Sequence, residues 1–248
     1  MKWILVFFSI WNLAGALLRT FRMLLERLPL TRRLYLKRDM LPIDGVSDLE
    51  ISAAAKARYR AAAGELSRRA ALPVPELLCS PKNAMLAGTR GWRRHELHLS
   101  RGILNHASDE GLLAIVAHEL GHIHYRHFAA LRLAEIFGSL VYARVVFALL
   151  DTNLPWYGYL GLWSLLDFSF SLFRLAAGSV TELMADRYAA KLGMAQELSR
   201  GLTRAQCFNG ATEFTQITHF YPTVKLRVRL LSRYSRAVEA GAEPDAAL

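Results

Sequence analysis

Cysteine is nearly absent: Cys79 and Cys207 are the only two in 248 residues, and they stand far apart. A disulfide framework is therefore unsupported, and buried thiols in a reducing compartment are the simpler expectation. No polar low-complexity linker divides the chain, which argues for one domain with a real core rather than two independent ones. Acidic residues are too few to balance the basic ones, 21 against 31, leaving a formal charge of +10. That excess suits either nucleic acid or the cytoplasmic flanks of membrane segments on anionic lipid. No aromatic-basic nucleic-acid motif is present, and Arg and Lys crowd beside apolar runs, so lipid is the expected partner and nucleic acid is not. Also missing is an uncharged run of the roughly 20 residues that a spanning helix prefers.

What is abundant is apolar residues, 53% of the chain, concentrated in segments. Residues 3–18 form an uncharged apolar run, followed at once by Arg19, Arg22, Arg27, Arg32, Arg33, Lys37 and Arg38. Ala14-Gly15-Ala16 offers a signal-like cleavage site, but such positive density resists export, so an uncleaved anchor or membrane-lying helix is expected. Two further apolar runs, 136–150 and 154–173, are interrupted by Arg144 and Asp167 and separated by Asp151-Thr152-Asn153. They read as a helical hairpin associated with the membrane, its acidic loop outside and its Arg-rich flanks inside. A charge near the bilayer centre costs about 2.5 to 3.5 kcal/mol, so Arg144 and Asp167 either pair across the hairpin or the helices lie in the interface.

Between these regions the signals are those of a compact domain. Ser47-Asp48-Leu49-Glu50 reads as a capping box opening an Ala-rich helix to about Ala70, ended by Pro73 and Pro75. Glu76 to Cys79 suggests a strand. Asn83 to Gly88, a turn around Thr89 to Gly91, and Arg94 to Leu99 predict a hairpin carrying His95 and His98 on opposite faces, as surface histidines. Ser108 then offers an N-cap, and Leu112, Leu113, Ile115, Val116, Leu120 and Ile123 recur at helical spacing.

That helix contains Ala117-His118-Glu119-Leu120-Gly121-His122, the HExxH pattern. Positions four apart share a helix face, so His118 and His122 can grip one zinc ion while Glu119, rotated about 100° from His118, reaches a water there. The longer metzincin pattern needs Gly at 125 and His at 128, where this chain has Tyr125 and Phe128. His124 and His127, continued on the same helix, fall away from the 118/122 face and are expected at the surface. A third ligand can come from Ser179 to Tyr188, where Glu182 and Asp186 are four apart and share a face. Glu182 can coordinate, and Asp186 can accept a hydrogen bond from the free ring nitrogen of a ligand histidine.

With these elements in order the sequence resembles the HtpX and CAAX-prenyl-protease type of zinc metallopeptidase, a gluzincin family. The likeness covers about 76–190: Asn83-Ala84, Ser100-Arg-Gly-Ile-Leu104, the HExxH stretch and Thr181-Glu-Leu-Met-Ala-Asp186. The resemblance implies one Zn2+ per chain on His118, His122 and Glu182, with Glu119 as general base and Asp186 supporting the site. It also implies a His-Pro element followed by an arginine; here Tyr221-Pro222 and Arg227 occupy that pattern, and Tyr221, nearby His219 or Arg227 is the expected donor to an oxyanion. The fold expected is α+β, mainly α-helical and zincin-like, with a small β-hairpin or sheet before the HExxH helix and apolar membrane-associated helices. Anchor and basic flank take residues 1–40, the peptidase domain 41–240 with its apolar insertion at 136–173, and a disordered tail 241–248. The activity implied is a membrane-associated zinc endopeptidase acting on unfolded or membrane-tethered proteins, at the bacterial inner membrane and facing the cytoplasm. The strand ending near Leu99 is expected to pair the extended substrate. The alternative is a catalytically silent membrane adaptor that retains a structural zinc.

Overall fold

The computed structural model describes residues 14, 40–47, 50–91, 94–150, 155–210 and 222–241. The expected anchor at 3–18 apart from Ala14, the 151–153 loop, His219, Tyr221 and the tail beyond Gly241 lie outside them. Two compact units divide the chain, Met1–Tyr35 with Ala129–Ala177, and Leu36–Phe128 with Gly178–Leu248.

In the second unit β1 (Leu41–Pro42), β2 (Glu76–Ser80), β3 (Ala87–Arg90) and β4 (Glu96–Ser100) form a sheet in the order β1-β2-β4-β3. β2 runs parallel to β4, with Leu78 opposite His98, and β3 closes an antiparallel hairpin on β4, with Ala87 opposite Leu99. The expected hairpin is present but displaced. Thr89 and Arg90 belong to the strand, and the chain turns only after Gly91, whose φ of 97° demands a glycine. His95 precedes β4, so it does not share that strand with His98. β4 is hydrogen-bonded on both sides, by β2 and by β3, so the strand ending at Leu99 has no open edge, and among the described strands β1 and β3 stand at the two ends of the sheet.

Helix α1 (Ala53–Arg69) is Ala-rich and begins later than the Ser47 capping box suggested. Its N-cap is Ser52, whose side chain accepts from Ala55 N, whereas the Ser47 carbonyl accepts from Glu50 N and Ile51 N in a tight turn. That turn drops Ile51 into the core, where it is fully buried. Tyr59 of α1 donates its hydroxyl to the Leu97 carbonyl at 2.7 Å, tying the helix to β4. Short helix α2 (Arg101–His106) leads to α3 (Asp109–His124), capped by Ser108 through Gly111 N at 3.1 Å, as expected. Leu112, Val116 and Leu120 of α3 are fully buried in one continuous core with Leu66, Leu97, Leu99 and Leu231.

Two long helices follow, α4 (His127–Leu150) and α5 (Trp156–Lys191). The second is one uninterrupted element of 36 residues, so the apolar run from 156 and the Thr181–Asp186 motif ride on the same helix. Within the first unit, α4 and α5 touch where Gly138 meets Phe170: a Cβ at Gly138 would stand 2.3 Å from that ring. Among the described residues no helix is long and apolar enough to cross a membrane. Arg144 and Asp167 are both exposed and do not pair with one another, so of the two alternatives for these charges the ion pair across the hairpin is not formed. Helix α6 (Ala195–Asn209) ends on Gly210 in the left-handed region, and Asn209 clasps the Met85 backbone through both its amide atoms, at 2.9 and 3.0 Å. Helix α7 (Val224–Glu239), capped by Thr223, packs on α6 and buries Arg227, Leu231 and Tyr234.

Candidate functional site

Gly121, inside the HExxH stretch, sets how closely α3 and α5 approach. A Cβ there would lie 2.9 Å from Ala185 Cα and 3.0 Å from Tyr188 Cβ, so any side chain would push the helices apart. At this spacing the one-turn pair His118 and His122 on α3 faces the one-turn pair Glu182 and Asp186 on α5. His118 Nε2 and His122 Nε2 are 3.2 Å apart, and the Glu182 carboxylate places Oε2 3.4 Å from the first and Oε1 3.5 Å from the second.

These distances can be tested against a metal. Zinc bound tetrahedrally at about 2.0–2.2 Å holds its ligand atoms about 3.3–3.5 Å apart. The imidazole–imidazole separation and the distance from each imidazole to a Glu182 oxygen lie close to that spacing, and the three side chains each offer a ligand atom within 4.8 Å of the others. Two imidazole nitrogens and a carboxylate are the donor types zinc takes, so the residues present fit the ion. Glu119, on the same helix, is buried, and its Oε2 has no hydrogen-bond partner among the described residues. A buried, unpaired carboxylate oxygen is costly, so its presence beside the cluster points to a reacting proton rather than to packing.

Behind the cluster stands an anionic and cationic frame. His118 turns its other nitrogen, Nδ1, toward Asp186 Oδ1 at 2.9 Å. Arg227, delivered by the first turn of α7, donates Nε to Asp186 Oδ2 at 2.8 Å and Nη2 to Oδ1 at 2.7 Å, a bidentate pair. Its Nη1 lies 3.0 Å from Glu182 Oε2, so one buried guanidinium serves both carboxylates. The charges follow. Burial alone would raise Glu182 and Asp186, yet His118 and Arg227 hold both below the usual carboxylate range. Burial opposes the His118 imidazolium, but hydrogen bonding to Asp186 and Glu182 outweighs it and pushes that group up to about 10. His122 goes the other way, down to about 3, through burial and then the His118 charge. Glu119 is pushed up to about 7, by burial first, with His118 opposing and Glu182 adding.

The structure thus brings together His118, Glu119, His122, Glu182, Asp186 and Arg227, whereas Tyr221 and His219 lie outside the described residues. One histidine departs from its expected place. His124 is exposed as anticipated, its ring stacked 4.6 Å from that of Tyr188, but His127 is buried, with Nδ1 2.9 Å from His122 Nδ1. The cause is a break between helices. Tyr125 ends α3, Arg126 takes φ 52°, and α4 starts afresh at His127, so the 3.6-residue period does not carry across. An arginine in the left-handed region gives no sequence signal, unlike the glycine that usually marks such a turn. The contact of Arg227 with Asp186, 41 residues away, likewise had no local pattern to reveal it.

Two histidines one turn apart and a glutamate from a second helix form a cluster that could hold a metal ion, with an unpaired carboxylate beside it. A family model described as Peptidase family M48 matches residues 54–235, and the chain belongs to that family. The likeness seen in the motifs at 76–190 is therefore part of a longer one. Protease HtpX of Acinetobacter baylyi is 29% identical over 161 residues, 57% of this chain and 53% of that protein. Protease HtpX homolog of Sulfurovum sp. is 30% identical over 149 residues, 56% of this chain and 54% of that one. The chain spans about half the length of the curated relatives it matches. Among solved structures, S. mikatae Ste24p shares the fold, with a TM-score of 0.59 at 19% identity, covering 92% of this chain and 56% of its own.

Proposed function

We propose that this chain is a zinc-dependent, membrane-associated endopeptidase that hydrolyses unfolded or membrane-tethered proteins, with its site on the cytoplasmic side of a bacterial inner membrane. The observation that carries the reading is the convergence of His118, His122 and Glu182 at distances close to those between zinc ligands, beside the unpaired Glu119 oxygen. Zinc, when bound there, supplies Lewis acidity that polarises a carbonyl and lowers the pKa of a water to about 7. Glu119, pushed up to about 7, is matched to take a proton from water and hand it to the leaving amine. Asp186, 2.9 Å from His118 Nδ1, is placed to keep a proton on that nitrogen once zinc takes the Nε2 lone pair. Arg227 holds Asp186 and Glu182, and its commitment to them leaves the oxyanion to Tyr221 or His219. β3, a terminal strand of the sheet among the described residues and packed beside α3, is the place for an extended substrate to add a strand. Membrane association is supported by the apolar runs at 3–18 and 136–173 and by their basic flanks.

Zinc content and casein cleavage, measured on the membrane-prepared protein and on Glu119→Gln, test this. The variant is expected to keep zinc and lose cleavage by about 10²- to 10⁴-fold. Unchanged cleavage by the variant overturns the mechanism, and a wild type that holds zinc without cleaving points instead to the silent adaptor.

A further inference from the structure

His122 has a partner outside the HExxH stretch and the Glu182/Asp186 pair. His127 is 4% exposed, its ring lies nearly parallel to that of Tyr125 at 5.4 Å, and its Nδ1 stands 2.9 Å from His122 Nδ1. On an unbroken helix two residues five apart point about 140° away from each other. The chain brings them together only by placing Arg126 at φ 52°, a conformation unfavourable for a side-chain-bearing residue. The second nitrogen of His127, Nε2, is buried with no hydrogen-bond partner among the described residues. A strained turn and an unsatisfied buried nitrogen both weigh against packing as the reason for a histidine here, since a leucine would fill the space without either the turn's purpose or the polar atom.

The tautomers explain the arrangement. A histidine that gives its Nε2 lone pair to a metal is neutral and carries its proton on Nδ1. His122 must then donate from Nδ1, and a neutral His127 accepts at Nδ1 while its own proton sits on Nε2. Each ring nitrogen of the pair is thereby assigned its role as donor or acceptor.

We infer that His127 is a positioning residue for the metal centre: it accepts the Nδ1 proton of His122 and so fixes the tautomer and ring orientation that presents Nε2 to zinc. The site is then braced on both sides by different chemistry, an anion held by Arg227 behind His118 and a neutral imidazole behind His122. The inference rests on the reading of this cluster as a zinc site, and its test separates the two.

Zinc dissociation constants are measured by chelator competition on the full chain, for wild type, His127→Leu and His127→Asn, together with thermal unfolding of each metal-free protein. Asparagine places a carbonyl oxygen near the position of Nδ1; leucine fills similar space with no acceptor. His127→Leu is expected to bind zinc about 10- to 100-fold more weakly while its metal-free Tm stays level or rises, and His127→Asn to return to within a few-fold of wild type. Wild-type affinity in the leucine variant, or equal weakness in both variants, overturns the inference. If the wild type itself fails to bind zinc, the zinc reading falls instead.

Discussion

Helix α3 and the first-unit part of α4 and α5 are built from the same kinds of apolar residue but dispose of them in opposite ways. On α3, Leu112, Val116 and Leu120 are at most 2% exposed, closed in by the sheet, α1 and α6. On α4 and α5, Phe137 is 69% exposed and Phe168 61%, with Leu165, Leu172 and Phe173 also turned outward. The polar residues invert as well: His118, Glu119, Asp186 and Arg227 are buried in the first setting, while Arg144 and Asp167 are exposed in the second. Hydropathy alone cannot tell the two apart, because it records how apolar a helix is and not what covers it. The covered helix has a protein layer and holds its charges in pairs; the uncovered ones present their apolar side chains outward with no layer over them among the described residues.

The contrast breaks most sharply at Arg227. Replacing it with Met leaves Asp186 and Glu182 buried without their cation, and losing one partner of a buried ion pair costs about 3–5 kcal/mol. Urea unfolding of the metal-free protein should show a loss of that size, with Arg227→Lys intermediate because a single ammonium cannot reproduce the bidentate fork. A loss below about 1 kcal/mol would mean the carboxylates are solvated after all. Somewhat smaller is Leu120→Ala, which empties space between the HExxH helix and its core and should cost about 2–5 kcal/mol by the same measurement. Were that change neutral, α3 would be no better covered than α4.

How far these features could be read in advance depends on their range along the chain. HExxH, the Ser108 cap and the Glu182/Asp186 spacing are patterns within one or two helical turns, and the structure shows them where the spacing put them. Two serines compete for the start of α1, and the bond from Ala55 N to the Ser52 side chain, with Ile51 buried ahead of it, places the cap at Ser52. The sheet edge was misassigned because strand order is a matter of distant pairing, with β2 taking the side of β4 that the hairpin leaves open. His127 and Arg227 depend on a backbone reversal and on a contact 41 residues long, neither of which leaves a periodic trace.

The smallest expected change in stability belongs to the exposed face, and there the comparison is sharpest. Phe137 and Phe168 are more than half exposed, so replacing both with Ser removes little protein packing, and stability should stay within about 0.5 kcal/mol per site. If lipid covers these rings, the same substitutions cost membrane affinity. Full burial of a phenylalanine is worth about 1.5–3 kcal/mol, so the exposed portions of two rings contribute about 2–4 kcal/mol, or roughly 30- to 1,000-fold in partition. Vesicle flotation of the full chain, expressed as a ratio of partition coefficients between variant and wild type, lets any contribution from residues 3–18 cancel. Cleavage of soluble casein should be unchanged, since the site residues all belong to the other unit. A large drop in stability with unaltered partition would reverse the assignment and make these rings part of a protein contact.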